Sequence, residues 1–204
     1  MKHTCLLSIL LLLSGCGEVY IPDPVELRIP KYTEDGNQVA GAIINGESWK
    51  TEYDCGFLAG CDFPLQISSF PNADSLVLIF YGRLQEGLNK GKSVDLKFVF
   101  KNQTIEDFWD LLQLKDSLFI VDSANVLAGI GDLNPFFNDS TAQTYCNRGQ
   151  MFFRKAEHIA GDQDNAPSII LAGTFGLECD QNGEIATVYK GRFDFSLKNI
   201  DVYF

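Results

Sequence analysis

The stretch SIILAGTFGLECDQNGEIATVYKGRFDFSL, residues 168–197, decides the fold. It contains two runs of alternating apolar residues with turn-forming residues between them, and this pattern predicts two antiparallel β-strands. Because a one-residue slip turns every side chain to the opposite face, the pattern favours the register that puts both apolar sets on one face. That register needs a three-residue loop, 181–183, with Gly183 in the left-handed conformation. It pairs Cys179 with Ile185, Phe175 with Tyr189, Gly173 with Gly191, Leu171 with Phe193 and Ile169 with Phe195.

The same alternation continues toward the N-terminus. Asn45-Gly46 lies between two apolar runs and predicts a second hairpin. Residues 63–68 and 93–101 alternate as strands with one buried face do, whereas residues 75–81 are apolar on both faces, as in a central strand. We therefore predict a mainly β fold, either an antiparallel β-sandwich or a sandwich-like curved sheet.

One short helix is predicted, at about 105–113. Thr104 precedes it as a capping residue, with Asp107 three positions later. The apolar residues that recur at helical spacing are Ile105, Phe108, Trp109 and Leu112. We expect this helix to cover one end or face of the sheet and to pack Trp109 in the core.

Composition sets the broad class. The chain has 204 residues, of which 46% are hydrophobic and 21% are charged, which is typical of a globular protein. We assign a single β-rich domain to residues 38–204. The formal net charge of −11 disfavours binding to nucleic acid phosphates, so no nucleic acid partner is expected.

The N-terminus carries an export signal. Lys2 precedes an apolar run, 6–13, that is too short to span a bilayer and is typical of a secretory signal peptide. The residues LSGC at 13–16 then resemble the lipobox of bacterial lipoproteins. The resemblance implies that the signal peptide, 1–15, is removed and that the thiol of Cys16 carries a diacylglycerol. The alternative is an ordinary cleaved signal peptide followed by a free cysteine.

The lipoprotein resemblance also implies a location. The lipid on Cys16 would be the contact with the membrane, because two or three acyl chains anchor a protein stably. Gly17 stands where lipoproteins retained in the inner membrane have Asp, so we expect an outer-membrane lipoprotein. A lone Glu18 instead of an acidic cluster leaves both the periplasmic face and the cell surface open.

Residues 16–37 are predicted to form a lipid-anchored tether. Its prolines block helix formation, and an extended chain of this length reaches roughly 60 Å. The apolar residues of its second half, Leu27 and Ile29, equally favour packing against the domain as an edge strand.

Four cysteines follow the lipobox, and an oxidising compartment favours disulfides between them. We prefer a Cys55–Cys61 bond within a Gly-rich loop and a Cys146–Cys179 bond that joins two strands. The alternative is a tetrathiolate zinc site, although the paired C-x₂₋₄-C spacing of such sites is missing from the sequence.

The sequence offers little for catalysis. His158 is the one histidine after the predicted signal peptide, and the motifs G-x-S-x-G and G-x-x-x-x-G-K-[ST] do not occur. We therefore expect no cofactor and no enzyme of the common hydrolase types, although an acid pair for glycoside hydrolysis has no sequence signature. Asp162 and Asp164 are weak calcium-ligand candidates in a loop that lacks the Gly and Glu of an EF-hand. The alternative is a polar loop between strands.

Two tryptophans are the residues best suited to stack on a sugar. Since Trp109 lies at core spacing, Trp49, just after the Asn45-Gly46 turn, is the predicted ligand-binding residue.

Four serines share a local pattern in which Asp precedes the serine and Leu, Ala or Thr follows it. The pattern resembles the acceptor of a general O-glycosylation system of Bacteroidetes envelope proteins, which implies that these serines lie in surface loops. The alternative is a set of ordinary Asp-Ser turns. The serines are Ser75, Ser117, Ser123 and Ser140.

The layout as a whole resembles small Bacteroidetes lipoproteins of uncharacterised function. The resemblance implies an all-β, sandwich-like domain and transfers no catalytic residue. It is carried by the lipobox, by Ala42, Ile44, Gly46 and Trp49 around the first hairpin, and by Gly173-Thr174-Phe175 and Gly191-Arg192-Phe193-Asp194 near the C-terminus.

Three functions are compatible with these observations. The first is a lipid-anchored envelope protein whose non-enzymatic β domain has a structural role or binds a protein or glycan partner. The second is an accessory module that binds a glycan or a small ligand through Trp49. The third is a hydrolase that uses a pair of carboxyl groups.

Overall fold

The computed structural model describes residues 24–52, 54–56, 60–70, 74–122, 124–131, 144–161, 166–181 and 184–204. In these ranges the chain forms one large curled sheet, a separate two-stranded hairpin and short 3₁₀ helices. The mainly β fold is confirmed, in the curved-sheet form of the prediction.

The large sheet has twelve strands in the described ranges. Its strands follow one another in the order β14-β5-β6-β8-β10-β11-β12-β13-β1-β2-β7, and β9 pairs with β11 beside this path. Neighbours are antiparallel except β14 and β5, which are parallel. The bounds are β1 (Asn37–Ile44), β2 (Glu47–Thr51), β3 (Asp54–Gly56), β4 (Gly60–Asp62), β5 (Leu65–Phe70), β6 (Ser75–Phe80), β7 (Gly82–Leu84), β8 (Asp95–Lys101), β9 (Ser117–Ile120), β10 (Val126–Gly131), β11 (Thr144–Ile159), β12 (Ser168–Gln181), β13 (Glu184–Leu197) and β14 (Val202–Tyr203).

The sheet curls back on itself, so that its last strand, β7, comes next to β6. β7 is the last strand of the order and β6 is the third, yet only Tyr81 separates them in the chain. The Tyr81 amide donates to the carbonyl of Pro64 (2.9 Å), and the Val94 amide donates to the carbonyl of Gly82 (2.9 Å). Residues 75–84 therefore pair with β5 and β8 in their first part and with β2 in their second part, and the strands curl around a common interior.

Phenylalanine rings fill that interior. Phe80 contacts the rings of Phe98, Phe175, Phe193 and Phe195 at centroid distances between 5.5 and 6.0 Å. These rings come from β6, β8, β12 and β13, on different sides of the curled sheet, and all are buried. The alternation of β8 and the burial of alternate residues in β6 thus produce a packed core.

The Asn45-Gly46 hairpin is confirmed. Ile44 pairs with Glu47, which leaves two residues in the turn, and both have positive φ (50° and 86°). This is the backbone that Asn-Gly favours in a two-residue hairpin.

The predicted register of the β12–β13 hairpin is wrong. Gln181 pairs with Glu184, so two residues, not three, lie between the strands, and Cys179 pairs with Ala186. Farther along, Leu177 pairs with Val188 and Phe175 with Gly191, which places one extra residue in β13. The bulge, where Lys190 has a φ of 54°, changes which alternate residues point inward.

The bulge explains why the apolar pattern was misleading. Ile185 and Tyr189 are exposed, whereas Val188, Phe193 and Phe195 are buried. A side chain on Gly191 would overlap the ring of Phe175, so glycine is needed at the point where β13 resumes its inward face.

The helix is shorter and tighter than predicted. It is a 3₁₀ helix, Phe108–Leu114, and Asp107, not Thr104, caps it by accepting from the amides of Trp109 (2.7 Å) and Asp110 (3.2 Å). Its buried residues, Phe108, Leu111 and Leu114, recur every three positions, as the three-residue turn requires. No helix in the described ranges has the length and apolarity needed to cross a bilayer.

The second half of the predicted tether lies against the domain. We call residues 24–36 the arm; within it Ile29 and Pro30 are buried, and the missing side chain of Gly41 leaves room for Pro30. This is the packing alternative that the sequence left open, although the arm forms no edge strand. β1 begins at Asn37, one residue before the predicted domain boundary.

One predicted disulfide is present. The sulfur atoms of Cys146 and Cys179 are bonded (2.07 Å) at paired positions of β11 and β12, so these two cysteines are not available for the zinc alternative. Cys55 and Cys61 occupy paired positions of β3 and β4, but their side chains lie outside the described part of the structure, so that bond stays a prediction.

Candidate functional site

Trp49 does not lie on the surface, contrary to the prediction. Its side chain is fully buried, and its Nε1 donates to the carbonyl of Val94 (2.7 Å). It lies where β2, β7 and the start of β8 meet, beside Gly82, whose missing side chain leaves room for the indole ring. We call this place the seam; Trp49 fills it, so it cannot stack on a ligand from solvent.

Trp109 is the exposed tryptophan. The sequence placed it in the core, but 43% of its surface is accessible. The period of three along the 3₁₀ helix buries Phe108 and Leu111 and turns Trp109 outward. Exposure of a large aromatic side chain on a capped, well-packed helix makes it a candidate binding residue.

The rings of His158 and Trp109 pack at a right angle. The two ring centroids are 4.9 Å apart with an interplanar angle of 90°. His158 is exposed near the end of β11, and the following residue, Ile159, is also exposed. The perpendicular contact orients the indole ring, since aromatic pairs favour this geometry.

The neighbours of the pair are acidic. Asp107 and Asp110 cap the 3₁₀ helix, and Glu157, next to His158, forms an ion pair with Lys155 (3.4 Å). The carboxylates of Asp107 and Asp110 already accept backbone amides, which gives them a structural task. The Trp109–His158 pair therefore offers an aromatic face and an imidazole that can donate or accept hydrogen bonds, a combination suited to binding.

The other predicted site residues fall in two groups. Ser75 and Ser117 begin β6 and β9, and in both cases the preceding aspartate, Asp74 or Asp116, has a positive φ (45° and 58°). Both serines are half-buried at the start of a strand, and these two Asp-Ser pairs act as turns.

The predicted site residues outside the described ranges are Cys16, Ser123, Ser140, Asp162 and Asp164. Within those ranges, no group of three or more His, Cys, Asp or Glu side chains could hold a metal ion.

The sequence reasoning missed Asp194. This buried carboxylate accepts hydrogen bonds from the amides of Gly36 (2.7 Å) and Asn37 (3.2 Å) and from the hydroxyl of Thr33 (2.5 Å). It holds the C-terminal part of the arm against β13. Because Asp194 alternates with the inward-facing Phe193 and Phe195, the local sequence predicts an outward-facing residue and carries no signal of this role.

An ionic cluster holds the other part of the arm. Glu26 pairs with Arg28 (2.7 Å) and with Lys190 (3.1 Å), and Arg28 also pairs with Glu86 (3.2 Å). Hydrogen bonds from Arg28 and Lys190 lower the pKa of Glu26 from 4.5 to about 2. The arm is thus fixed by exposed charges near its start and by a buried carboxylate near its end.

No protein-family model matches the sequence, and no curated protein or solved structure is significantly similar to the chain.

Proposed function

We propose that this protein is a lipid-anchored envelope lipoprotein whose β domain is non-enzymatic and binds a partner through its surface. The lipobox at 13–16, directly after a basic residue and an apolar run, supports acylation of Cys16 and an outer-membrane location on either face. The membrane partner is then the bilayer that holds the lipid.

The packed interior of the sheet is the observation that supports binding through the outer surface. Many curled sheets hold a small ligand inside, but here Phe80 and its ring neighbours occupy that space. A partner therefore has to be recognised on the outside, where Trp109 and His158 form the most distinctive aromatic surface.

A glycan-binding module is the second candidate. In this role Trp109, and not Trp49, would stack on the sugar, because sugars stack on accessible aromatic faces. The hydrolase hypothesis stays third, since it needs two carboxyl groups about 5–9 Å apart in a cleft.

Acylation and binding are tested separately. Metabolic labelling with a fatty acid should mark the wild-type chain and spare the Cys16→Ser variant; equal labelling of both would contradict the lipoprotein proposal.

Binding is measured by thermal shift of the purified chain against a panel of oligosaccharides and envelope polysaccharides. A saturable shift that Trp109→Ala abolishes would support the glycan role. Tyr145→Ala, which removes another exposed aromatic ring, is the matched control. An unchanged shift in Trp109→Ala would remove this site from consideration, and cross-linking in intact cells would then identify a protein partner.

A further inference from the structure

From the arrangement of its exposed aliphatic residues, we infer that one end of the domain lies directly on the surface of a phospholipid bilayer. This inference rests on the proposed lipid anchor and adds an orientation to it. We call this region the turn end; it is centred on the Asn45-Gly46 turn and includes residues 25–28, 86–90 and 185–187.

Hydrogen bonds bring the three segments of the turn end together. Arg28 donates to the carbonyl of Gly46 (3.1 Å) and pairs with Glu86 (3.2 Å). Asn45 exchanges two hydrogen bonds with Thr187, one from its amide (3.0 Å) and one to its side-chain oxygen (2.8 Å). The arm, the 84–92 hairpin and the start of β13 therefore meet around one turn.

Each of these segments exposes an aliphatic side chain. Leu88 is fully exposed (102%), Val25 is 87% exposed, and Leu27 and Ile185 are each 68% exposed. Single exposed aliphatic residues are ordinary, but four around one turn form a group that water solvates poorly. Such a group is suited to the interface between lipid headgroups and acyl chains.

The length of the chain before the arm favours a bilayer as the occupant. Only residues 17–23 lie between the cysteine of the lipobox and Pro24, where the described chain begins. Even fully extended, so few residues reach roughly 25 Å. Because the arm is fixed to the turn end through Arg28 and Glu26, this end has to stay within that distance of an acylated Cys16.

Among the four aliphatic residues, Leu88 is the one best placed to insert into a bilayer. It lies at the tip of a hairpin closed by hydrogen bonds from Leu84 to Lys92 (3.0 Å) and from Gly91 to Leu84 (2.7 Å). Gly87 and Gly91, on either side of the tip, have positive φ (78° and 83°). A closed hairpin presents Leu88 without exposing a flexible loop, and insertion of its side chain costs little conformational entropy.

The charges near Leu88 have both signs, because the carboxylates of Glu47 and Glu86 lie beside the hairpin and two lysines lie within it. Lys90 and Lys92 are exposed and make no ion pair within the described part of the chain. Their ammonium groups can approach lipid phosphates while Leu88 enters the apolar layer. The net charge of −11 opposes attraction to a strongly anionic surface, so a zwitterionic bilayer is the expected occupant.

Depth-dependent fluorescence quenching tests the inference. The full acylated chain, carrying Leu88→Trp and Trp109→Phe, is reconstituted in zwitterionic vesicles that contain nitroxide-labelled lipids. The matched control carries Ile159→Trp with Trp109→Phe, because Ile159 is exposed and lies roughly 30 Å from the turn end along β13. Trp49 is buried and contributes equally to both.

We expect labelled lipids to quench Leu88→Trp at least about twofold more strongly than Ile159→Trp. Equal weak quenching in both variants, while the protein floats with the vesicles, would overturn the orientation and leave the lipid anchor intact. Failure to float would overturn the anchor, and the inference with it.

A measurement on the wild-type chain avoids any effect of the substitutions on folding. A water-soluble acetylating reagent is added before and after reconstitution, and modified lysines are quantified by mass spectrometry. Lys90 and Lys92 should become at least about twofold slower to react on the vesicle, whereas Lys115, at the end of the 3₁₀ helix, should not change. Equal rates for all three lysines on floating vesicles would overturn the inference.

Discussion

The seam around Trp49 and the 3₁₀ helix that carries Trp109 place the same type of side chain in opposite environments. At the seam, strands from three parts of the chain converge, Gly82 leaves space and the Val94 carbonyl accepts the indole hydrogen. On the 3₁₀ helix, every third residue is buried, and Trp109 is exposed to solvent beside His158. Long-range closure decides the environment of the first tryptophan, and local helical period decides that of the second.

Trp49→Ala gives the largest expected effect on this comparison. Removing a fully buried indole leaves a cavity and an unpaired carbonyl at Val94, so the free energy of unfolding should fall by about 3–5 kcal/mol. Urea denaturation measures the change, and Trp49→Phe, which keeps most of the ring volume, should lose less. A loss below about 1 kcal/mol for Trp49→Ala would mean that the seam is not closed.

Removing the Cys146–Cys179 disulfide should lower the free energy of unfolding without changing either tryptophan. The Cys146–Cys179 bond spans 33 residues, and its removal by a double Cys→Ala substitution should cost about 3–4 kcal/mol through the entropy of the unfolded chain. The predicted Cys55–Cys61 bond would enclose a shorter segment, so replacing these two cysteines should cost less. Equal unfolding energies for the two double variants would contradict that entropic account.

Asp194→Asn is expected to have an intermediate effect. The carboxylate is buried and accepts several hydrogen bonds from residues 33–37, so loss of its charge should cost about 1.5–3 kcal/mol. Proteolytic cleavage within the arm should also become faster. Asp201→Asn, which removes a partly exposed carboxylate near the C-terminus, serves as the control; if it releases the arm equally, Asp194 is not what holds it.

Acid should loosen the start of the arm. The folded-state pKa of Glu26 is about 2, below its ordinary value of 4.5, so ionised Glu26 stabilises the attached arm above that ordinary value. This contribution is lost as the pH falls from 4.5 to about 2. Cleavage of the arm by an acid-active protease should accelerate over this interval, and less so in Glu26→Gln. Identical pH profiles would assign the loosening to other groups.

Trp109→Ala should have the smallest effect on stability. The ring is partly exposed and contacts the rings of Phe108 and His158, so the loss should stay below about 1 kcal/mol. Thermal unfolding measures it against Trp49→Ala. A loss as large as that of Trp49→Ala would show that Trp109 stabilises the fold as much as Trp49 does, and it would contradict the contrast between the two tryptophans.

Local patterns predicted local structure well. The Asn45-Gly46 turn and the alternation of β8 follow from residues that are neighbours in sequence. The Cys146–Cys179 pairing is not local and was predicted from the even number of cysteines in an oxidising compartment. The helix was misplaced by three residues at its start because periods of three and of 3.6 are hard to distinguish over two turns.

Features that depend on distant contacts were not predictable. The bulge at Lys190 broke the alternation on which the β12–β13 register relied, and burial of Trp49 requires that β7 return to β2. Asp194 looked like a surface acid, because its partners lie near residue 35, far away in the sequence. The candidate site at Trp109 could be found only once the helix was known to have a three-residue period.

The single residue between β6 and β7 also has a consequence for the folding pathway. Residues 75–84 contact β5 and β8 nearby in sequence and β2 about 30 residues earlier, and β1 has to pair with β13 about 150 residues later. A sheet of this kind cannot grow strand by strand from one edge. We expect refolding on a timescale of milliseconds to seconds, with closure around Trp49 as a late event that its fluorescence would report.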